Sequence, residues 1–226
     1  MSLWVSYNFI RKGCDYISNI FDLKYQTELH ILTLDYNKIG NDGLYFLQRG
    51  LKTAKSLTYL SLAYCNIDET GIKFLADIIP SSICSIKTLV LAGNPLKNAG
   101  LNILINALNS NTSVEELNLN NILFGNDEET IFNLTTLMTT NLSLLSYQVK
   151  YNLLTDTGKY YMTKLKGLKS FIAALSTDNG RFISKFDIDE RFSKELFDEF
   201  YKLIKKGRKK KPKKKGGKGG KKGKGK

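Results

Sequence analysis

The 226-residue sequence contains few residues of the types that build catalytic, metal-binding or disulfide-linked sites: three Cys, one His, one Trp and three Pro. Cys14, Cys65 and Cys84 are odd in number and widely spaced, which predicts reduced cysteines rather than a disulfide framework or a metal site. His30 is the one possible base for a catalytic triad of the usual kind, and the sequence suggests no partner for it. We therefore predict no catalytic residue, no metal and no cofactor.

Long apolar runs are also missing. No stretch approaches the ~20 apolar residues that a transmembrane helix needs. The chain begins MSLWVSYNFIRKG, which lacks the charged start and apolar core of a signal peptide. These absences predict an intracellular protein that does not span a membrane.

The charge is strongly uneven. Of the 34 Lys and Arg residues, 14 lie between Lys205 and Lys226, where there is no acidic residue. The remaining 20 basic residues are balanced by 21 acidic ones, so the net charge of +13 comes from the carboxyl-terminal segment. A segment with this composition has no apolar residues to bury, and we predict a disordered polybasic tail over residues 207–226.

An internal repeat dominates residues 29–162. Four of the five copies have the form L-x-x-L-x-L, followed by an Asn or Cys, a further apolar residue, a Gly and another apolar residue; the fourth copy is weaker, with Ile122 and Glu128 at the Asn and Gly positions. The copies begin at Leu29, Leu57, Ile86, Val114 and Leu144, so they follow one another at 28 to 30 residues. A repeat of this length predicts a solenoid, because one copy cannot bury its apolar face without its neighbours.

Each position of the repeat has a physical reason. The alternating leucines predict a short strand that directs one face inward. The next column is Asn37, Cys65, Asn94, Ile122 and Asn152, and its Asn and Cys members are placed to bind backbone groups in the turn that follows the strand. The Gly column, which includes Gly43, predicts the start of a helix. The fold class is therefore α/β: a solenoid with a parallel sheet on its concave side and helices on its convex side.

These motifs resemble the ribonuclease-inhibitor-like class of leucine-rich repeats. The resemblance extends from about residue 3 to residue 166 and includes a partial first repeat at Leu3, Val5, Asn8 and Ile10. It implies a horseshoe that binds other proteins. Two kinds of relative suggest narrower roles: leucine-rich-repeat subunits of ciliary axonemes, and Ran-type GTPase activators. The second role is disfavoured, because the chain has five arginines, of which Arg11 alone follows a strand end, and a basic tail.

The two ends of the solenoid require separate predictions. The first strand has no preceding capping segment, so we expect one of three situations. A partner covers this amino-terminal edge, the sequence is an incomplete version of a longer protein, or residues 1–20 are frayed and the solenoid begins at Leu29. Residues 167–206 form an irregular segment followed by a strand and a helix from about Asp189, with Asp187 and Glu190 at capping-box spacing. We expect this strand and helix to cap the last repeat; the alternative is a free partner-binding helix.

Aromatic and amide residues mark a candidate binding face. The position before the Asn or Cys column contains four tyrosines, which are favoured anchors at protein interfaces. The alternative is that these tyrosines only pack against one another. The predicted partner-binding residues on the concave face are Trp4, Tyr7, Tyr36, Tyr59, Tyr64, Asn118, Gln148 and Tyr151.

The tail predicts a second contact. Lysine outnumbers arginine, which favours diffuse attraction to a polyanion, and the tail has no aromatic residue to stack on bases. The predicted contact residues are Lys209, Lys210, Lys211, Lys213, Lys214 and Lys215. We predict a non-enzymatic scaffold within a larger cytoskeletal or ciliary (axonemal) complex in the cytoplasm, with the acidic tails of tubulin as the polyanion. The alternative is an RNA- or ribosome-associated factor in the nucleus or nucleolus.

Overall fold

The computed structural model describes residues 1–6, 13–21, 28–80, 84–155, 176, 183–189 and 194–208. The strands are β1 (Ser2–Trp4), β2 (Ile31–Thr33), β3 (Tyr59–Ser61), β4 (Thr88–Val90), β5 (Glu116–Asn118), β6 (Ser146–Gln148) and β7 (Lys185–Asp187). The helices are α1 (Cys14–Ile20), α2 (Gly40–Leu51), α3 (Glu69–Ala76), α4 (Lys97–Leu108), α5 (Glu128–Thr140) and α6 (Lys194–Arg208).

The strands form one parallel sheet in chain order, β1 to β7. Equivalent repeat positions lie side by side in it: Leu32 pairs with Leu60 and Leu60 with Leu89. The leucines of the motif are buried between the sheet and the helices, where they form one continuous core. The predicted α/β solenoid with a parallel sheet is confirmed.

The Asn and Cys members of the column after β2, β3, β4 and β6 have the predicted role in the turn. The Asn94 side-chain amide donates to the carbonyls of Leu62 (2.7 Å) and Leu91 (2.9 Å). Its Oδ1 accepts from the backbone N–H groups of Cys65 and Ile67, both at 3.0 Å. One buried side chain thus satisfies backbone groups in two adjacent repeats.

The Gly column differs from its prediction. Helices α2, α3 and α4 begin two or three residues before Gly43, Gly71 and Gly100, so these glycines lie inside the first turn. A Cβ at Gly100 would lie 3.3 Å from the Cα of Glu69 in the preceding repeat. The absence of a side chain therefore permits close approach of successive helices and does not mark where they start.

The first repeat is formed. Leu3 pairs with Leu32 in the sheet, and the Asn37 amide donates to the Val5 carbonyl at 2.6 Å. In α1, the Ser18 hydroxyl accepts from the Gly50 N–H at 2.8 Å. A solenoid that begins only at Leu29 is therefore wrong.

At the other end, β7 and α6 cover the last repeat. Phe186 of β7 pairs with Tyr147, and its ring meets Phe200 of α6 edge to face at 5.1 Å. Phe200 is fully buried. Asp187 lies in β7, so it is not the helix cap that its spacing predicted, and α6 continues to Arg208, two residues into the predicted tail. The predicted boundary between residues 166 and 167 and the tail from residue 209 onward lie outside the described residues.

Candidate protein-interaction surface

Each strand from β2 to β6 is followed by a residue with left-handed backbone three positions beyond its end. The φ angles in this column fall between 53° and 71°, and its members are Tyr36, Tyr64, Gly93, Asn121 and Tyr151. Gly and Asn adopt this conformation readily, whereas a tyrosine in it costs on the order of 1 kcal/mol. The column is therefore a backbone requirement of the repeat, and in three repeats a tyrosine meets it at a cost.

The left-handed turn also decides where the tyrosines lie. Tyr36, Tyr64 and Tyr151 lie in the turns just beyond the ends of β2, β3 and β6, not within the strands. Their contact with a partner on the concave side stays a prediction. We call the described segments that follow the carboxyl ends of β2 to β7, as far as the first turn of the next helix, the loop edge: residues 34–43, 62–71, 91–100, 119–130, 149–155 and 188–189.

Two of the tyrosines form a stack on the loop edge. The rings of Tyr36 and Tyr64 are 4.7 Å apart and within 5° of parallel. Beyond them, a Cβ at Gly93 would overlap the Tyr64 ring, so the glycine leaves room for it. The stacked tyrosines nevertheless remain 47% and 43% exposed, and Tyr151 is 65% exposed. The two rings thus pack against each other and at the same time remain accessible to solvent.

Hydrogen bonds between repeats hold the backbone of this edge. Oδ1 of Asp35 accepts from the Ser61 hydroxyl at 2.5 Å and from the Ala63 N–H at 2.8 Å. At the other end, the Tyr151 N–H donates to Oδ2 of Asp189 at 2.7 Å. The loop edge is therefore a preorganised platform, which lowers the entropic cost of binding.

The other predicted contact residues lie in the strands, on the concave face. Trp4 is 68% exposed on β1, whereas Tyr59 is half-buried two strands away. Asn118 and Gln148 are neighbours in the sheet, and both bond to Asn120. The structure therefore separates the predicted set into concave residues and loop-edge residues; Tyr7 and the six tail lysines lie outside the described residues.

Sequence reasoning missed two members of the loop edge. Leu123 is 39% exposed and Leu153 is 61% exposed. They occupy the column two residues beyond the tyrosines, where the other repeats have Lys38, Asn66 and Pro95. A leucine at a position that is Lys or Asn in two of the other repeats was the available signal. With the tyrosines they make up five of the twelve large apolar side chains that are exposed in the described part of the chain.

The loop edge carries an excess of negative charge. Its acidic residues are Asp35, Asp42, Asp68, Glu69, Asp127, Glu128, Glu129 and Asp189, against Lys38, Lys97 and Lys150. Asp68 and Asp127 cap α3 and α5 by accepting from the N–H groups of Thr70 (2.7 Å) and Thr130 (2.9 Å). Slight burial acts to raise the pKa of Asp68, but hydrogen bonds from Thr70 and Asn41 hold it below its ordinary value.

His30 and the buried cysteines lie in surroundings that suit the fold rather than a reaction. Nδ1 of His30 lies 2.9 Å from the Ser56 carbonyl oxygen. Burial raises the pKa of the Cys14 thiol to about 11 and that of Cys65 to about 12, so both keep their protons at neutral pH. Within the described ranges, no group of three or more His, Cys, Asp or Glu residues is placed to hold a metal. A search of the same ranges finds no helix with the length and apolarity to cross a bilayer.

The convex side has a separate cavity of about 450 Å³ near α1 and α2. Its lining consists of Asp15, Tyr45, Phe46, Gln48, Arg49 and Lys52. Arg49 bonds to Asp15 at 3.2 Å and to Asn19, and Tyr45 meets Phe74 edge to face at 5.4 Å. None of the predicted contact residues that the structure describes lines it.

Comparison with known proteins supports the repeat assignment. The family model "Leucine Rich repeat" matches residues 53–76. The human NACHT, LRR and PYD domains-containing protein 13 is 33% identical over 105 residues, which cover 46% of this chain and 10% of that protein. The chain thus matches about a tenth of the length of this curated relative. A solved structure titled "Leiomodin-1 Actin-Binding Site 2 (ABS2)" has a TM-score of 0.50 and 15% identity, and the alignment covers 90% of this chain and 91% of that one. This structural likeness extends to the fold alone.

Proposed function

We propose that this chain, a leucine-rich-repeat protein, is a non-enzymatic scaffold that binds a protein partner along its loop edge and the adjoining concave face. The observation that carries the proposal is the exposed stack of Tyr36 and Tyr64 on left-handed backbone. Leucine-rich-repeat domains are protein-interaction modules. On this surface the chain carries side chains that the repeat fold does not require.

The tyrosines support binding because the repeat does not need them. Asn121 and Gly93 occupy the same column without the steric cost of a tyrosine. Strained residues that persist on a surface indicate function, and tyrosine combines a large contact area with a hydroxyl and few rotatable bonds. The hydrogen-bonded loops then present these rings in a fixed arrangement.

The basic tail supplies a second contact, to a polyanion. Because lysine predominates and no aromatic residue interrupts it, the attraction is one of charge density. We favour a cytoplasmic cytoskeletal or ciliary assembly, with the acidic tails of tubulin as the polyanion. The solved structure with the similar fold is titled as an actin-binding site, so actin filaments belong in the same test, together with RNA.

The partner surface is tested by substitution of Tyr36, Tyr64 and Tyr151 with Ser. A partner is first captured from native extract on the full chain and identified, and its Kd is then measured for each variant. We expect a loss of at least about tenfold, since anchor residues at interfaces contribute ~2 kcal/mol or more. The matched control is Tyr16→Ser, an exposed tyrosine on α1. Unchanged binding by the triple variant, or an equal loss in the control, would contradict the proposal.

The tail is tested by replacement of its six predicted contact lysines with Gln and co-sedimentation with microtubules, actin filaments or RNA. Binding to microtubules should fall steeply as salt rises, because exposed charges are screened. Removal of tubulin's acidic tails by protease should have the same effect as the substitutions. Binding that resists salt and survives both changes would be incompatible with a polyanion contact, and exclusive retention on RNA would favour the nucleolar alternative.

A further inference from the structure

The loop edge is the largest concentration of exposed apolar groups in the described part of the chain. Tyr36, Tyr64, Leu123, Tyr151 and Leu153 lie on it and are each at least 39% exposed. The bridge between Gly125 and Leu153 joins the loops of adjacent repeats here. This edge is therefore a surface that continues from repeat to repeat.

The charge on this surface is opposite to that of one segment of the same chain. The loop edge contains eight of the chain's 21 acidic residues but only three of the 20 basic residues that precede Lys205, a net of five negative charges. Residues 209–226 contain eleven lysines and no acidic residue. A lysine ammonium is attracted both by carboxylates and by the face or edge hydroxyl of a tyrosine.

Some acidic residues of the loop edge also stabilise helices. Asp68 and Asp127 cap α3 and α5, and Glu69, Glu128 and Glu129 lie in first turns, where negative charge is favourable. They stand in the same loops as the exposed tyrosines and leucines, so a basic segment that lies along the edge meets both.

The geometry permits the tail to reach this surface. Helix α6 ends at Arg208, and the 18 residues that follow span up to ~60 Å when extended. The loop edge from β2 to β7 extends over ~24 Å at the usual spacing of strands, and the 15 residues of α6 separate its two ends by ~22 Å. A tethered segment of this length has an effective concentration on the order of millimolar.

We propose that the loop edge is a docking surface for lysine-rich segments and that the chain's own residues 209–226 are its first occupant. The inference rests on the proposed function in that the partner and the tail use the same edge. A polyanion then competes with the loop edge for the tail, and a partner that binds the edge releases the tail. Binding of the partner and binding of the polyanion are therefore positively coupled.

The first test is zero-length carbodiimide cross-linking of the full chain at submicromolar concentration, followed by mass spectrometry of the monomer. We expect lysines of residues 209–215 to be joined to Glu69, Glu128 and Glu129, and these products to diminish in high salt. Asp77 and Glu116 are exposed acids away from the loop edge and serve as internal controls. Cross-links that favour the controls, or none from tail to edge, would overturn the proposal.

The second test separates docking from net charge. Glu69→Gln, Glu128→Gln and Glu129→Gln together remove three negative charges from the edge; Asp77→Asn, Glu115→Gln and Glu116→Gln remove three elsewhere. Affinity for a labelled polyglutamate peptide should rise at least threefold more in the edge variant than in the control. An equal rise in both would show that the tail does not dock, and would leave the partner test of the tyrosines unaffected.

Discussion

The loops at the two ends of the strands both bind their backbone groups through buried Asn side chains, but they differ in which residues they expose. At the loop edge, Asn94 binds carbonyl and N–H groups of two repeats. At the opposite edge, where helices lead back to strands, Asn141 does the same: its amide donates to Leu108 and Asn111, and its Oδ1 accepts from Ser143 and Leu144. We call this opposite edge the return edge.

The difference lies outside the buried amides. The loop edge adds left-handed tyrosines, two exposed leucines and excess negative charge, none of which the turn itself requires. The return edge exposes Leu142 and carries charges of both signs, as in the ion pair of Lys87 and Glu115 at 2.8 Å. The comparison shows that folding needs are met in the same way on both edges, whereas the features suited to binding are concentrated on one.

The largest contrast we expect is in the reactivity of the cysteines at the two edges. Burial raises the pKa of Cys65 at the loop edge to about 12, whereas Cys84, in the segment that returns to β4, is partly exposed. At neutral pH the thiolate of Cys65 should be ~1000-fold scarcer than that of an ordinary thiol, and it is also shielded. Alkylation followed by peptide mass spectrometry should therefore modify Cys84 first, and Cys65 only after denaturation. Equal rates in the native protein would contradict the structure.

The next effect tests whether the two amide positions are equivalent. Asn94→Ala and Asn141→Ala should each lower the free energy of unfolding by about 4 kcal/mol, since each leaves several buried backbone groups unsatisfied. Chemical denaturation followed by circular dichroism measures the change. Asn126→Ala is the control: its bonds to Thr155 are exposed, so we expect a loss of less than about 1 kcal/mol. A small loss at Asn141 alone would mean that the return edge tolerates unsatisfied groups.

The sequence predicted the interior better than the edges. The leucine spacing located β2, β3 and β4, because period and burial are directly coupled in a solenoid. The left-handed column was not predicted, although Gly93 and Asn121 in it are the residues that adopt such backbone most easily. Tyrosine rarely adopts left-handed backbone, so the tyrosines in this column made the backbone requirement hard to recognise from the sequence.

Two further features depended on contacts between repeats. Asn111 and Asn141 are 30 residues apart and each is followed two positions later by Ser, yet neither belongs to the leucine motif. The sequence pattern predicts helix starts at Gly43 and Gly100, because a sequence does not show how closely the preceding helix approaches. Residues that act across repeats are thus the ones for which a single-repeat consensus is least informative.

The smallest effect contrasts two tyrosines of one repeat. Tyr147 is fully buried in β6, burial raises its pKa, and its hydroxyl has no hydrogen-bond partner among the described residues. Tyr147→Phe should therefore stabilise the protein by ~1 kcal/mol, by removing a buried unsatisfied group. Tyr151→Phe, on the exposed loop edge, should leave thermal stability unchanged. Destabilisation by Tyr147→Phe would show that the buried hydroxyl is bonded, for instance by a water.

The regular step of the sheet also sets a length scale for anything that lies across it. Neighbouring strands are ~4.8 Å apart, and the stacked tyrosine rings repeat this interval at 4.7 Å. A polyproline II helix rises ~3.1 Å per residue with three residues per turn, so one of its turns spans nearly two repeats. One turn of the polyproline II helix nearly equals two strand spacings in length. A polyproline II segment crossing the loop edge therefore presents the same side to every second repeat. The side chains that contact Tyr36 and those two repeats further on would then recur at every third position.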